Sequence, residues 1–377
     1  MNSSKPIYFP GLNGLRTLAA LSVVVFHLTL DFDRFNLSPY LFGTLADGKP
    51  KGFAMAGFGV TIFFALSGFL ITYLLLAEKK QQEINIKNFY FRRLLRIWPL
   101  YYLYLAAAVA VIFYFKLYFN GGTLLLYIFF AANFPFILEN IPFIAESTLP
   151  YLRHYWSLGV EEQYYLFWPW VVKKVNNKLQ IFVIVFIVVF VLLKCFFHFF
   201  YMKTIVAASF NVIRFDCMLI GSLGAIYYFN QQALFLKIAG SKFAQAIAWI
   251  IILLLLLNKF HIASVIDHEI VSAVTVILII GQITVKNRLV NLDIKIFDFL
   301  GKISYGMYVI HPLIIFFSAM LFKDINLPTV IKYIVAYTFV VGATIFLSWL
   351  SYEYFEKRFL KIKARFTAVA SSNTRNG

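Results

Sequence analysis

A chain of 377 residues that is 61% hydrophobic and only 14% charged, with 44 phenylalanines, is too apolar for an ordinary soluble domain. Its net charge of +17 does not imply nucleic acid, because the basic residues fall in short clusters between apolar runs rather than over one soluble face. Cys195 and Cys217 both lie inside apolar runs, so no disulfide framework is implied.

Apolar runs of about 17–25 residues, the length that crosses ~30 Å of hydrocarbon, recur from end to end. They predict an all-α membrane protein, a polytopic bundle of about ten transmembrane helices with a short re-entrant or interfacial segment. The predicted spans are 12–30, 57–77, 98–117, 156–172, 179–199, 211–229, 244–258, 271–285, 303–322 and 331–351. No repeat, linker or low-complexity segment interrupts them, and the end of the chain reads as a disordered polar tail.

The first span carries Arg16 and His27 and lacks a small-residue cleavage site, so it reads as retained rather than removed as a signal peptide. An ionisable side chain within a span costs at least about 2.5–3.5 kcal/mol, so each one asks for an explanation. Eleven residues separate Arg16 from His27, almost three whole turns. The two therefore share a helix face about 16 Å apart along the axis. A snorkelling arginine and a packing histidine would also fit. In the second span, Ser67 and Gly68 of FFALSGFLIT suit close helix packing.

The loop before the third span ends in FYFRRLLRIWPLYY, where Arg93 and Arg96 share a face. Arginine donates bidentate hydrogen bonds to phosphate, although basic residues at an inner interface also follow from topology. Residues 123–138 are apolar but short and read as the re-entrant or interfacial piece. The fourth span, YWSLGVEEQYYLFWPW, holds Glu161 and Glu162, whose side chains point in different directions. Either could simply pair with a buried cation.

In the sixth span, Arg214 and Asp216 begin RFDCMLIGSLGA and could be interfacial charges. The ninth span places Ser304, Tyr308 and His311 on one stripe, with Pro312 after the histidine to kink the helix. His154, His198, His261 and His268 fall at span ends or in loops and receive no role. The histidines are too scattered to suggest a metal site, and there is no glycine-rich phosphate loop or nucleophile elbow.

With the N-terminus inside, the segments predicted to be cytoplasmic hold 22 of the 34 Lys and Arg and the outer connections hold 7. This asymmetry predicts a multi-pass cell-membrane protein with both termini cytoplasmic.

Taken in order, these stretches resemble the acyltransferase 3 family of integral membrane acyltransferases. The resemblance rests on the Arg16–His27 spacing, FFALSGFLIT, FRRLLRIWPLYY, YWSLGVEEQYYLFWP, RFDCMLIG and LGKISYGMYVIHP. The closing YEYFEKRFLKIK is also similar, with Glu356-Lys357-Arg358 where the family usually reads Glu-Arg-Pro. It implies an acyltransferase domain over 1–363 and a polar tail over 364–377. It further implies transfer of an acyl group, most often acetyl, from cytoplasmic acyl-CoA to a carbohydrate or lipid-linked glycan hydroxyl at a bacterial inner membrane. Acyl-CoA is then a donor substrate, and no cofactor is bound permanently.

His27 is implied as the base. Glu161, Glu162, Asp216 and His311 join it as candidate catalytic positions, and Arg16, Arg93, Arg96, Ser67 and Tyr305 as donor-binding ones. Some family members carry an extracytoplasmic hydrolase-like domain; the expectation here is a protein without one, in which either the membrane domain finishes the reaction or a separate extracytoplasmic partner does. The rival reading is a transporter or flippase for a lipid-linked or acylated saccharide, which also uses buried ionisable groups but makes no bonds. Turnover of labelled acetyl-CoA separates the two.

Overall fold

A computed structural model describes residues 7–44, 48, 50–51, 54–141, 147–367 and 369, with backbone alone at 54–56. Fifteen α-helices follow in order among these residues. They are α1 Leu12–Leu30, α2 Ala54–Gln81, α3 Ile86–Tyr114, α4 Gly121–Ile128, α5 Asn133–Glu139, α6 Trp156–Lys174, α7 Leu179–Phe200, α8 Ile205–Ile213, α9 Phe215–Phe229, α10 Ala233–Ala239, α11 Lys242–Leu256, α12 Asp267–Ile283, α13 Lys295–Phe322, α14 Thr329–Ser351 and α15 Lys357–Lys363. Several start on a cap legible in the sequence. Asn85 accepts from the Asn88 backbone N–H at 2.9 Å and Ser241 from that of Ala244 at 3.1 Å.

Nine predicted spans fall on a single helix each, the one expected at 211–229 is broken at Arg214 (φ 45°) between α8 and α9, and the protein is an all-α, multi-pass membrane protein. Seven helices among the described residues are long and apolar enough to cross a membrane, or eight if the bent α10–α11 pair is one span. The expected count of ten is therefore not reached on that measure. α6 carries Glu161, Glu162, Lys173 and Lys174 in its 19 residues, and α12 has only 17.

The segment expected to re-enter is two short helices, α4 and α5, broken at 129–132 with Phe130 at φ 56°. Neither is long enough to cross a bilayer. Carbonyls freed by the break are taken up by protein. Tyr101 Oη donates to Tyr127 O at 2.6 Å, Tyr102 Oη to Ile128 O at 2.8 Å and Gln163 Nε2 to Phe130 O at 3.3 Å. Of the tail expected from 364, Ala364–Phe366 form a 3-10 turn. Residues 368 and 370–377 lie outside the described residues.

The basic connections meet at one end of the bundle. Lys79 Nζ donates to Val172 O at 2.5 Å, Gln245 Nε2 to Asn287 O at 3.1 Å, and Tyr8 to Asp293. Lys173 lies 2.7 Å from Glu83 and holds that carboxyl below the usual carboxylate range. At the opposite end Arg153 meets Glu139 at 3.0 Å, and Asn36 donates to Lys323 O at 3.0 Å.

The tightest crossing joins α2 to α9. A Cβ on Gly68 would lie 1.9 Å from Met218 O, and one on Gly221 only 2.1 Å from Ala65 O. Two glycines thus bring the backbones together, as small residues do in membrane bundles. This crossing fixes the height of Ser67, one residue before Gly68, against the rest of the core.

Candidate active site

A cavity of about 420 Å³ opens at the basic end and runs inward between α1, α2, α3, α6 and α13. Along α2 its lining extends from Glu78 to Val60. Eighteen residues of helix make that about 27 Å, close to the ~30 Å of a hydrocarbon core. The cavity is thus a shaft that follows α2 inward. Apolar side chains such as Ile71 and Phe64 alternate with a few polar ones, the usual make-up of a small-molecule site.

Arg16, Arg93 and Arg96 all line this cavity. Arg92, also in the lining, is neutralised by Glu78 at 2.9 Å. None of the other three makes an ion pair with a described residue. Arg16 donates to Asn13 Oδ1 at 3.2 Å, and the Arg93 guanidinium sits over the Phe89 and Tyr165 rings at 5.8 and 5.2 Å. The buried Nε of Arg93 has no hydrogen-bond partner among the described residues. Three guanidiniums in a desolvated shaft outnumber Glu161, the carboxylate that lines it beside them, and a bound anion would offset the excess charge.

Ser67, Glu161 and Tyr305 also face the cavity. Glu161 accepts from Ser67 Oγ and, at 3.0 Å, from Tyr165 Oη. Tyr305 Oη donates to Ile97 O at 2.7 Å. Glu162 is not in the lining; its Oε1 is buried and has no partner among the described residues.

The blind end is walled by Val60, Phe63, Ser157 and Tyr308. Tyr308 Oη lies 2.5 Å from Ser157 Oγ and bonds to His154 O at 2.8 Å. The shaft stops there. The Tyr308 ring is held by these bonds and by Phe63, 6.1 Å away edge-to-face, and neither His27 nor His311 lines the cavity.

Just past that wall His27 and His311 stack with centroids 5.0 Å apart, and His27 Nδ1 lies 2.7 Å from His311 Nε2. His311 Nδ1 is 3.1 Å from Met307 O. A carbonyl only accepts, so His311 carries its proton on Nδ1 and offers a lone pair at Nε2. With both rings neutral, His27 must donate from Nδ1. That leaves a lone pair on His27 Nε2, which no described residue engages. This tautomer is the one a proton acceptor needs.

His154 was passed over in the sequence. It is buried, packs 5.3 Å from His311 and bonds to Val309 O at 3.0 Å. Only its tertiary neighbours, one of them 157 positions away in the chain, reveal it.

Asp216 belongs elsewhere. It is buried at the start of α9 beside Glu269 of α12, whose Oε1 is 2.6 Å from Lys194 Nζ of α7. Lys194 was also unmarked in the sequence, and this cluster is separate from the cavity. Lys194→Met should strand two buried carboxyls and destabilise the protein by about 3–5 kcal/mol. Thermal unfolding in detergent reads that loss; an unchanged midpoint would mean the pair contributes nothing.

A polytopic helical membrane protein with an arginine-lined shaft leading toward a histidine pair is the class that this fold and site define. The sequence model of the acyltransferase 3 family, an acyltransferase domain, matches residues 9–353, and the chain belongs to that family. It is 34% identical over 168 residues to the peptidoglycan O-acetyltransferase OatA of Listeria monocytogenes, covering 43% of this chain and 24% of that protein. It is 31% identical over 175 residues to the O-acetyltransferase OatA of Staphylococcus aureus, covering 44% and 25%. The chain thus spans about a quarter of the length of the curated relatives it matches. No solved structure matches it.

Proposed function

We propose that this protein transfers an acetyl group from cytoplasmic acetyl-CoA to a hydroxyl of a cell-wall carbohydrate. The observation that carries the reading is the shaft with three arginines outside any ion pair at one end and a hydrogen-bonded histidine pair past the other. Membership of an acyltransferase family and relatives named for peptidoglycan O-acetylation support the reaction and the kind of acceptor.

In this reading the basic end faces the cytoplasm, as the excess of Lys and Arg there favours. Arg16, Arg93 and Arg96 hold the donor's phosphates, and the pantetheine arm threads the shaft so that the thioester lies against Ser157 and Tyr308. The acceptor comes from the opposite side. His27 Nε2 takes the hydroxyl proton as the oxygen attacks the thioester carbonyl. The C–S bond breaks, and the leaving thiolate takes the proton back from His27, giving the O-acetyl ester and free CoA. His311 stabilises the transient imidazolium by accepting its Nδ1–H, so it is a positioning residue. Carbonyl and imidazole meet only when the wall at Tyr308 and Phe63 opens.

Arg96→Gln should weaken acetyl-CoA binding about 10–100-fold, the worth of a hydrogen bond to a charged group, while kcat at saturating donor changes little. Titration calorimetry on purified protein reads the first and label transfer to glycan fragments the second. Unaltered affinity would remove the arginines from donor binding. Wild-type protein that neither consumes acetyl-CoA nor labels a glycan would favour a transporter.

A further inference from the structure

The bundle alone does not close the mouth of the shaft. α14 continues through a π-helical turn, Tyr352–Glu356, into α15 and the turn Ala364–Phe366. This C-terminal segment lies along the first turns of α3. Arg92 Nη1 donates to Phe366 O at 2.9 Å, and the Phe91 and Phe366 rings stack with centroids 5.0 Å apart.

Leu360, Lys363, Ala364 and Thr367 line the cavity. Their spacing of i, i+3, i+4 and i+7 is a single helical stripe. One face of the segment therefore turns inward, and it carries one basic side chain, Lys363. The neighbouring basic residues are otherwise engaged or turned out: Lys357 lies 2.5 Å from Glu353, and Lys361 and Arg365 are exposed. Lys363 is half-buried in the lining and makes no ion pair with a described carboxylate.

We infer that Lys363 is a fourth cation of the donor site, and that the C-terminal segment is part of the acyl-CoA binding surface. The inference rests on the donor reading above. In coenzyme A the ribose 3′-phosphate is the phosphate most remote from the sulfur. With the thioester at the blind end, that phosphomonoester stays at the mouth, where Lys363 stands. Arg92, another cation of the lining, is already paired with Glu78. A phosphomonoester carries about two negative charges near neutral pH, and a lysine meets it as a point charge.

The test compares coenzyme A with 3′-dephospho-coenzyme A on full-length protein in detergent. Lys363→Gln should lose about tenfold in affinity for coenzyme A and bind the dephospho form as wild type does. Lys363→Arg should restore the preference, which separates a charge effect from misfolding. Arg96→Gln should lose affinity for both. Wild-type affinity of Lys363→Gln for both nucleotides would overturn the assignment of Lys363 and leave the donor site standing. Wild-type protein that binds neither would overturn the donor reading, and this inference with it.

Discussion

Replacing His27 with alanine is expected to abolish glycan acetylation while leaving a folded protein that still binds the donor. A positioned acid–base group supplies roughly 10²–10⁴-fold, and His154, the third imidazole of the cluster, packs on His311. Donor affinity should persist because the shaft ends short of His27. Mass spectrometry of surface glycans from cells carrying only the variant, with a binding titration on the purified protein, measures both halves. Wild-type acetylation would end the assignment. His311→Gln keeps an oxygen able to accept the His27 Nδ1–H and should retain far more turnover than His311→Ala. Equal activities would mean that His311 only fills space.

The second large effect concerns assembly. Gly68→Val places side-chain carbon where Met218 O already lies, and the first added atom alone would be 1.9 Å away. Overpacking that side chains can absorb costs about 1–3 kcal/mol, but here the obstacle is the backbone of α9. Since proteins are stable by only about 5–15 kcal/mol, the variant should fail to yield a monodisperse peak in fluorescence-detected gel filtration. Gly342→Val is the control, because nothing lies within 4 Å of a Cβ there. Equal behaviour of the two would mean that α2 and α9 can part without penalty.

What the sequence made legible follows from how local each signal was. Spans could be read because hydrocarbon thickness imposes a length on apolar runs. The Arg16–His27 and Ser304–Tyr308–His311 stripes could be read because helical periodicity is local. That His27 and His311 touch was not readable, since 284 positions separate them. The surroundings of Asp216 were hidden for the same reason: its neighbours Lys194 and Glu269 come from two other helices. Lys363 was hidden among basic residues whose abundance at that end topology alone explains. The end of the shaft at Tyr308 depends on a hydroxyl contact with Ser157 that no pattern announces.

Three guanidiniums line the shaft, and Glu161 is the one carboxylate among the described residues that lines it close to them, so positive charge is in excess there. Occupancy offsets that excess, so the donor acts on conformational stability as well as on chemistry. A ligand at one hundred times its dissociation constant adds about 2.7 kcal/mol, a sizeable share of a typical folding free energy. If acetyl-CoA is the donor, as proposed above, cells short of it would hold less of this protein in its native form, and its abundance would follow that supply.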